Sequence, residues 1–298
     1  MTGAPDTADT RARPDALRWG YGTNGFANHS LPDALTIIAE LGYTAVALTL
    51  DTHHLDPFGP GAAERIGRTS ALLDRLGLDV VVETGARYLL DPRRKHFPSL
   101  VSPDPAARLR LMERACEIAA DLNAGAVSFW SGADHDGDPK AAWTRLCAAL
   151  DRVVEYAGRS GVRLGLEPEP GMVVATLDDY DELLLELGCP ERLGLTLDIG
   201  HCRAVEEQAV PDCVRRAAPW LVNVQIDDMV RGVHEHLEFG AGEIAFAPVI
   251  GALIDIGYDG IVGVELPRHS HAAPETARRS LRFLRAATPV AAAGGAAP

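Results

Sequence analysis

Glu167, Asp198, Gln225 and Glu265 close four short apolar runs in the second half of the chain, at 162–167, 193–198, 221–225 and 261–265. Within the runs, alternate residues differ in kind. Leu164, Leu166, Leu195, Leu197, Val222, Val224, Val262 and Val264 are aliphatic, whereas Gly165, Glu167, Thr196, Asp198, Asn223, Gln225, Gly263 and Glu265 are small or polar. Side chains alternate faces along a strand. Each run therefore predicts a strand with one aliphatic face and one face that ends in an oxygen donor. Three carboxylates and an amide carbonyl are hard ligands, suited to one divalent cation, Mn²⁺ or Mg²⁺ first and Co²⁺ or Zn²⁺ after them. One such residue alone reads as an ordinary buried polar group. Four at equivalent strand ends read as a site. Glu169 competes with Glu167, but Glu167 completes the inward parity before Pro168 breaks the strand.

Other residues supply groups for substrate. His201 follows Asp198 by three positions and reaches substrate or metal from the rim, or else caps and packs. His234 and His236 sit two apart and point to one side of an extended segment; substrate or structural roles are preferred to a second metal site. The run Arg93-Arg94-Lys95-His96 is the sharpest positive stretch of an acidic chain. Arg94, Lys95 and His96 predict a clamp on phosphate or carboxylate, with a solvated loop as the alternative. Arg231 and Arg268 are further anion or hydroxyl binders. Trp130, Trp19 and Tyr21 stand near strand ends, where a ring packs on a sugar or simply in the core. His53 and His54 line a pocket or a surface loop.

These groups need a scaffold that brings them together. Eight β-type runs, near 18–23, 45–50, 79–83, 126–131, 162–167, 193–198, 221–226 and 261–266, alternate with helical stretches. That order implies βαβ units and a parallel sheet. Eight units fit an α/β class closed (β/α)8 TIM barrel, whose active sites lie at the C-terminal rim. Ser30-Leu31-Pro32-Asp33 announces a helix start, and Leu41-Gly42, Leu76-Gly77, Ser160-Gly161, Leu187-Gly188 and Ile256-Gly257 announce helix ends. The domain spans 17–286, between disordered tails at 1–16 and 287–298. Long rim loops, at about 84–105 and 227–245, are placed to bind substrate.

Composition bounds the function. The 298 residues, 47 % hydrophobic, suffice for one large core. A formal net charge of −14 argues against a nucleic-acid partner. No run approaches a membrane span, and the N-terminus lacks a signal-peptide core. Five scattered cysteines without a CxxC pair read as reduced thiols of a cytoplasmic protein. The expected partner is a small polyhydroxylated molecule, and a homo-oligomer is compatible with the sequence.

The order Glu167, Asp198-Ile199-Gly200-His201, Gln225, Glu265 resembles the xylose-isomerase-like TIM-barrel superfamily of sugar phosphate isomerases and epimerases, across about 17–286. The resemblance implies one bound metal ion, Glu167, Asp198 and Glu265 among its ligands, and the two glutamates doubling as acid and base. It also implies that His201 and Arg231 contact substrate. In the ketose 3-epimerase branch the remaining ligand is His. Gln225 at that position is similar to the inosose and 3-dehydroshikimate dehydratase branches, so a dehydratase is the alternative reading. The shared chemistry is proton abstraction next to a carbonyl through a metal-stabilised enediolate. The apurinic endonuclease branch has a His-rich three-metal site; here the fourth run ends Phe129-Trp130-Ser131-Gly132, without His. A non-enzymatic sugar-binding protein is the remaining class, separable by a metal assay and solvent-proton exchange.

Overall fold

The computed structural model describes residues 17–289. Its barrel strands are β1 (Arg18–Gly22), β2 (Ala45–Thr49), β3 (Asp79–Glu83), β4 (Val127–Trp130), β5 (Leu164–Glu167), β6 (Leu193–Asp198) and β7 (Leu221–Ile226), and then, after a hairpin of β8 (Asp228–Val230) and β9 (Val233–Leu237), β10 (Ile261–Val264). All eight barrel strands are parallel and close in the order β1-β10-β7-β6-β5-β4-β3-β2. Each overlaps the run that predicts it. The helices are α1 (Leu31–Glu40), α2 (Ala62–Leu76), α3 (Ala106–Asp121), α4 (Pro139–Ser160), α5 (Leu177–Glu186), α6 (Ile199–Val205), α7 (Val210–Ala217), α8 (Phe246–Asp255) and α9 (Ala273–Ala287). The tail expected at 1–16 lies outside the described residues, as do residues 290–298 of the tail expected at 287–298. Ala287, assigned above to the C-terminal tail, is instead the last residue of α9.

The aliphatic faces pack as expected, with one exception. Leu164, Leu166, Leu195, Leu197, Val224, Val262 and Val264 join the core shared with the helices. Val222 does not. The β6–β7 register shifts between Leu195 and Thr196, so that Leu195 pairs with Leu221 and Thr196 with Asn223. This bulge turns Val222 to the barrel interior, where it meets Ala45, Val81, Ala126 and Ile261. Gly165 and Gly194 leave room for it, since a Cβ on either would strike its methyl groups. Above this apolar plug the interior becomes polar. Ser128 Oγ and Thr196 Oγ1 lie 3.0 Å apart, reaching past β5 from the strands on either side.

Local signals set the helix ends. The Ser30 side chain accepts from Asp33 N, Thr176 and Asp179 form a capping box at α5, and Gly77 and Gly161 close α2 and α4 in the left-handed region. The cap that bears on chemistry is Asp198, whose Oδ1 accepts from His201 N at 2.9 Å. Strand β6 thus runs straight into α6, and one carboxylate both caps the helix and stands at the barrel mouth.

Both rim segments are ordered by single buried side chains. Arg108, on α3, donates from Nη1 to Thr84 O at 2.9 Å, from Nε to Pro98 O at 2.9 Å and from Nη2 to His96 O at 3.3 Å. It pins the strap 84–105 down against the barrel. The segment 227–245 is not a plain loop, because it folds into the antiparallel β8–β9 hairpin. Asp228 closes it, accepting from the backbone N–H of Gly240, Gly242 and Ile244. Trp19 and Tyr21 are buried in the core, which excludes them from a sugar-stacking role.

Candidate metal centre and active site

A cavity of about 650 Å³ opens at the C-terminal end of the barrel, with Glu167, Gln225 and Glu265 on its wall. Asp198 lies buried beside it. Strand register brings Asp198 and Gln225 level on neighbouring strands, with Gly263 level with Gln225. One ligand atom each from Glu167, Asp198 and His201 fall within 4.8 Å of one another, and so do those of Asp198, His236 and Glu265. Asp198 is therefore the hinge between the two glutamates. These approach from β5 and from just beyond β10, which are three strands apart around the ring.

The electrostatics of this floor are those of crowded, desolvated carboxylates. Burial first, then Glu265 and other acids, raise the Glu167 carboxyl well above its ordinary range. Burial and Asp198 push Glu265 up to about 7, although His236 pulls the other way. Glu83, at the end of β3, is driven to about 8 by burial and the charge of Glu265. Burial and Asp198 lift Glu169 to about 7. Two oxygens on this floor, Asp198 Oδ2 and Gln225 Oε1, are buried without a hydrogen-bond partner among the described residues. Orphaned buried oxygens are rare in folded proteins. Together with several acids resisting ionisation at one point, they make a donor set that fits a divalent cation.

The rim histidines converge. His201 Nδ1 lies 3.2 Å from Pro168 O and 3.3 Å from Glu167 Oε1, and its Nε2 lies 3.0 Å from His234 Nε2. The nitrogens of His201, His234 and His236 form a third group within 4.8 Å. Burial lowers His201 to about 4, so its ring is neutral over the physiological range. Burial also depresses His236, but the buried Asp227 carboxylate on its Nδ1 outweighs this and lifts it to about 10. Asp227 fits there because residue 200 is glycine; a Cβ would overlap its Oδ1.

Of the proposed clamp, Lys95 and His96 line the cavity, and His96 stacks on Trp130 at 5.2 Å between ring centroids. Arg94 does not join them. Its guanidinium sits over the Phe97 ring, 3.2 Å from the centroid, beside a separate cleft. The strap turns at His96, which has positive φ, and directs neighbouring side chains apart. Arg231 is also drawn away, donating from Nη2 to Glu206 O at 2.7 Å, off the cavity wall. His54 is tied to His29 O and, like His53, stays outside. Arg268 does line the cavity, paired with Glu235.

Several lining residues escaped the sequence reading. Glu83, Arg87, Tyr88, Thr49 and Asn24 all face the cavity, and Asn24 Nδ2 donates to Glu265 Oε1 at 2.9 Å. Glu83 carried a usable signal, because it ends a strand on the same inward parity as Val81. Asn24 lies in a short 3-10 helix after β1 and carried none.

Comparisons with known proteins agree with this geometry. A family model described as a xylose isomerase-like TIM barrel matches residues 35–287. The chain is 27 % identical over 238 residues to L-ribulose 3-epimerase of Mesorhizobium japonicum, covering 78 % of this chain and 74 % of that protein. It is 26 % identical over 286 residues to fructoselysine 3-epimerase of Escherichia coli O157:H7, covering 92 % and 99 %. The crystal structure of D-allulose 3-epimerase from Methylomonas sp. superposes with a TM-score of 0.72 at 19 % identity, covering 92 % of this chain and 99 % of that one, which shows the shared fold.

Proposed function

We propose that this chain, which belongs to the xylose isomerase-like TIM-barrel family, is a metal-dependent epimerase or isomerase of a polyhydroxylated keto sugar. The observation that carries the reading is the placement of Glu167 and Glu265 on either side of Asp198, from strands three apart, with carboxyls raised toward the range of useful bases. The relatives named L-ribulose 3-epimerase and fructoselysine 3-epimerase support it. Glu167, Asp198, Gln225 and Glu265 would hold one divalent ion, Mn²⁺ or Mg²⁺ by donor type. When bound, that ion supplies Lewis-acid polarisation of the substrate carbonyl and screens the crowded carboxylates.

The residues of the chain do the proton work. One glutamate takes the proton from the carbon next to the carbonyl, leaving an enediolate. The other returns a proton to the opposite face, which inverts that carbon. Return to the neighbouring carbon instead gives isomerisation. His201, neutral and anchored through Nδ1, and His234, whose Nε2 meets His201 Nε2, together face a substrate hydroxyl. His96 and Trp130 form a flat wall for the sugar. Lys95, with Arg87 and Arg268, favours an anionic substituent at the outer end.

Metal titration of Asp198→Asn tests the site. The variant should fold, since the amide oxygen still caps α6, but bind Mn²⁺ at least about tenfold more weakly. Unchanged stoichiometry and affinity would remove Asp198 from the site.

A further inference from the structure

We infer that Glu83 is a positioning residue that decides which end of the Gln225 amide faces the metal centre; the inference rests on the reading of Gln225 as a ligand. The two ends of a carboxamide are nearly equal in size but opposite in chemistry. The oxygen can hold a cation and the NH₂ group cannot. A glutamine ligand therefore needs something to fix its flip, which a carboxylate, with two equivalent oxygens, would not.

Glu83 supplies that constraint from across the barrel. Strands β3 and β7 stand four apart in the ring, at opposite ends of a diameter. Even so, Gln225 Nε2 donates to Glu83 Oε1 at 2.9 Å. The span closes because both side chains are long and meet inside the barrel. Glu83 is itself held, its Oε2 accepting from Thr49 Oγ1 at 3.2 Å, while Thr49 N donates to Thr23 Oγ1 at 3.0 Å. With the NH₂ group engaged, the Gln225 oxygen is left buried and without a partner among the described residues. With a cation bound and Glu83 ionised, turning the amide over would set its oxygen against the Glu83 carboxylate and its NH₂ group toward the cation. The pair thus explains how a neutral amide can serve as a ligand here: Gln225 donates to Glu83 on one side and turns its oxygen to the other.

The test is Mn²⁺ titration of the full chain by calorimetry, with a metal-free thermal melt of each variant as the folding control. Glu83→Ala should weaken binding by about 10–100-fold, the range for partners that orient a ligand. Glu83→Gln, whose amide can offer Gln225 either an oxygen or an NH₂ group, should fall between wild type and Glu83→Ala. Glu83→Ala added to Gln225→Ala should cost little beyond Gln225→Ala alone. The proposal is overturned if Glu83→Ala binds Mn²⁺ as tightly as wild type. It is equally overturned if the two Ala substitutions are additive. If Gln225→Ala binds Mn²⁺ as wild type does, the ligand reading fails first and takes the positioning role with it.

Discussion

Glu265 stands one residue beyond β10 and carries two duties at one carboxylate. Asn24 holds its Oε1, and its position near Asp198 places it among the proposed ligands. Glu265→Gln separates the duties. The amide oxygen can still coordinate but cannot take a proton. Mn²⁺ affinity should fall only modestly, and turnover should drop by about 10²–10⁴-fold, the usual worth of a positioned acid or base. Near-normal turnover in steady-state assays would leave Glu265 a ligand only. At this scale the sequence was legible wherever chemistry and parity coincided. Glu167, Asp198, Gln225 and Glu265 each lie at or next to the C-terminal end of a barrel strand. Glu83 obeys the same rule, yet its meaning depends on a bond across the barrel, and no local pattern announces that. Arg108 is opaque for a similar reason. Its guanidinium is buried against three carbonyls and lies 4.8 Å from the Trp130 ring, whereas an arginine on an amphipathic helix reads as solvated.

The strap 84–105 shows how an element chooses among its own residues. Arg94 and Lys95 are adjacent, but only Lys95 reaches the cavity. Lys95→Ala should therefore raise KM with little change in kcat, since a remote contact binds ground and transition states alike. Arg94→Ala should leave both constants near wild type. The reverse pattern in initial-rate kinetics would mean that the strap rearranges on binding. The sequence placed this segment at the rim but not its path, because its direction is set by tertiary anchors: Arg108 below it and the stacking of His96 on Trp130. The β6–β7 bulge is a similar case. Strict alternation puts Val222 outside, but its partner strand skips a residue and sends it into the plug under the site. Strand and helix positions were otherwise readable, because period-two aliphatics and glycine helix ends are local signals. The hairpin at 228–237 was not, since its strands are short and only half apolar.

For the molecule as a whole, the site is a concentration of negative charge in a chain that already carries −14. This gives the metal-free fold a definite pH response. Glu83 titrates near 8, and Glu265 and Glu169 near 7, against about 4.3 in an unfolded chain. His236, lifted to about 10, acts with the same sign. From about pH 7 to 8.5 the native state holds protons that the unfolded state has released, so stability falls as pH rises. Histidines with lowered values, such as His201, oppose this only below about 6.5, the unfolded value. The melting temperature of the metal-free protein should therefore decline across that window. Saturating Mn²⁺, which replaces the protons, should flatten the decline. A metal-free melting temperature that rises with pH there would contradict the carboxylate assignment. The central claim, two carboxylates exchanging a proton across one substrate carbon, is tested most directly in deuterated water. The Mn²⁺-loaded protein, incubated with a panel of ketopentoses and ketohexoses, should yield an epimer with one deuterium at the inverted carbon beside the ketone, seen by NMR and mass spectrometry. An epimer formed without deuterium would contradict the account, as would an unsaturated product with new ultraviolet absorbance.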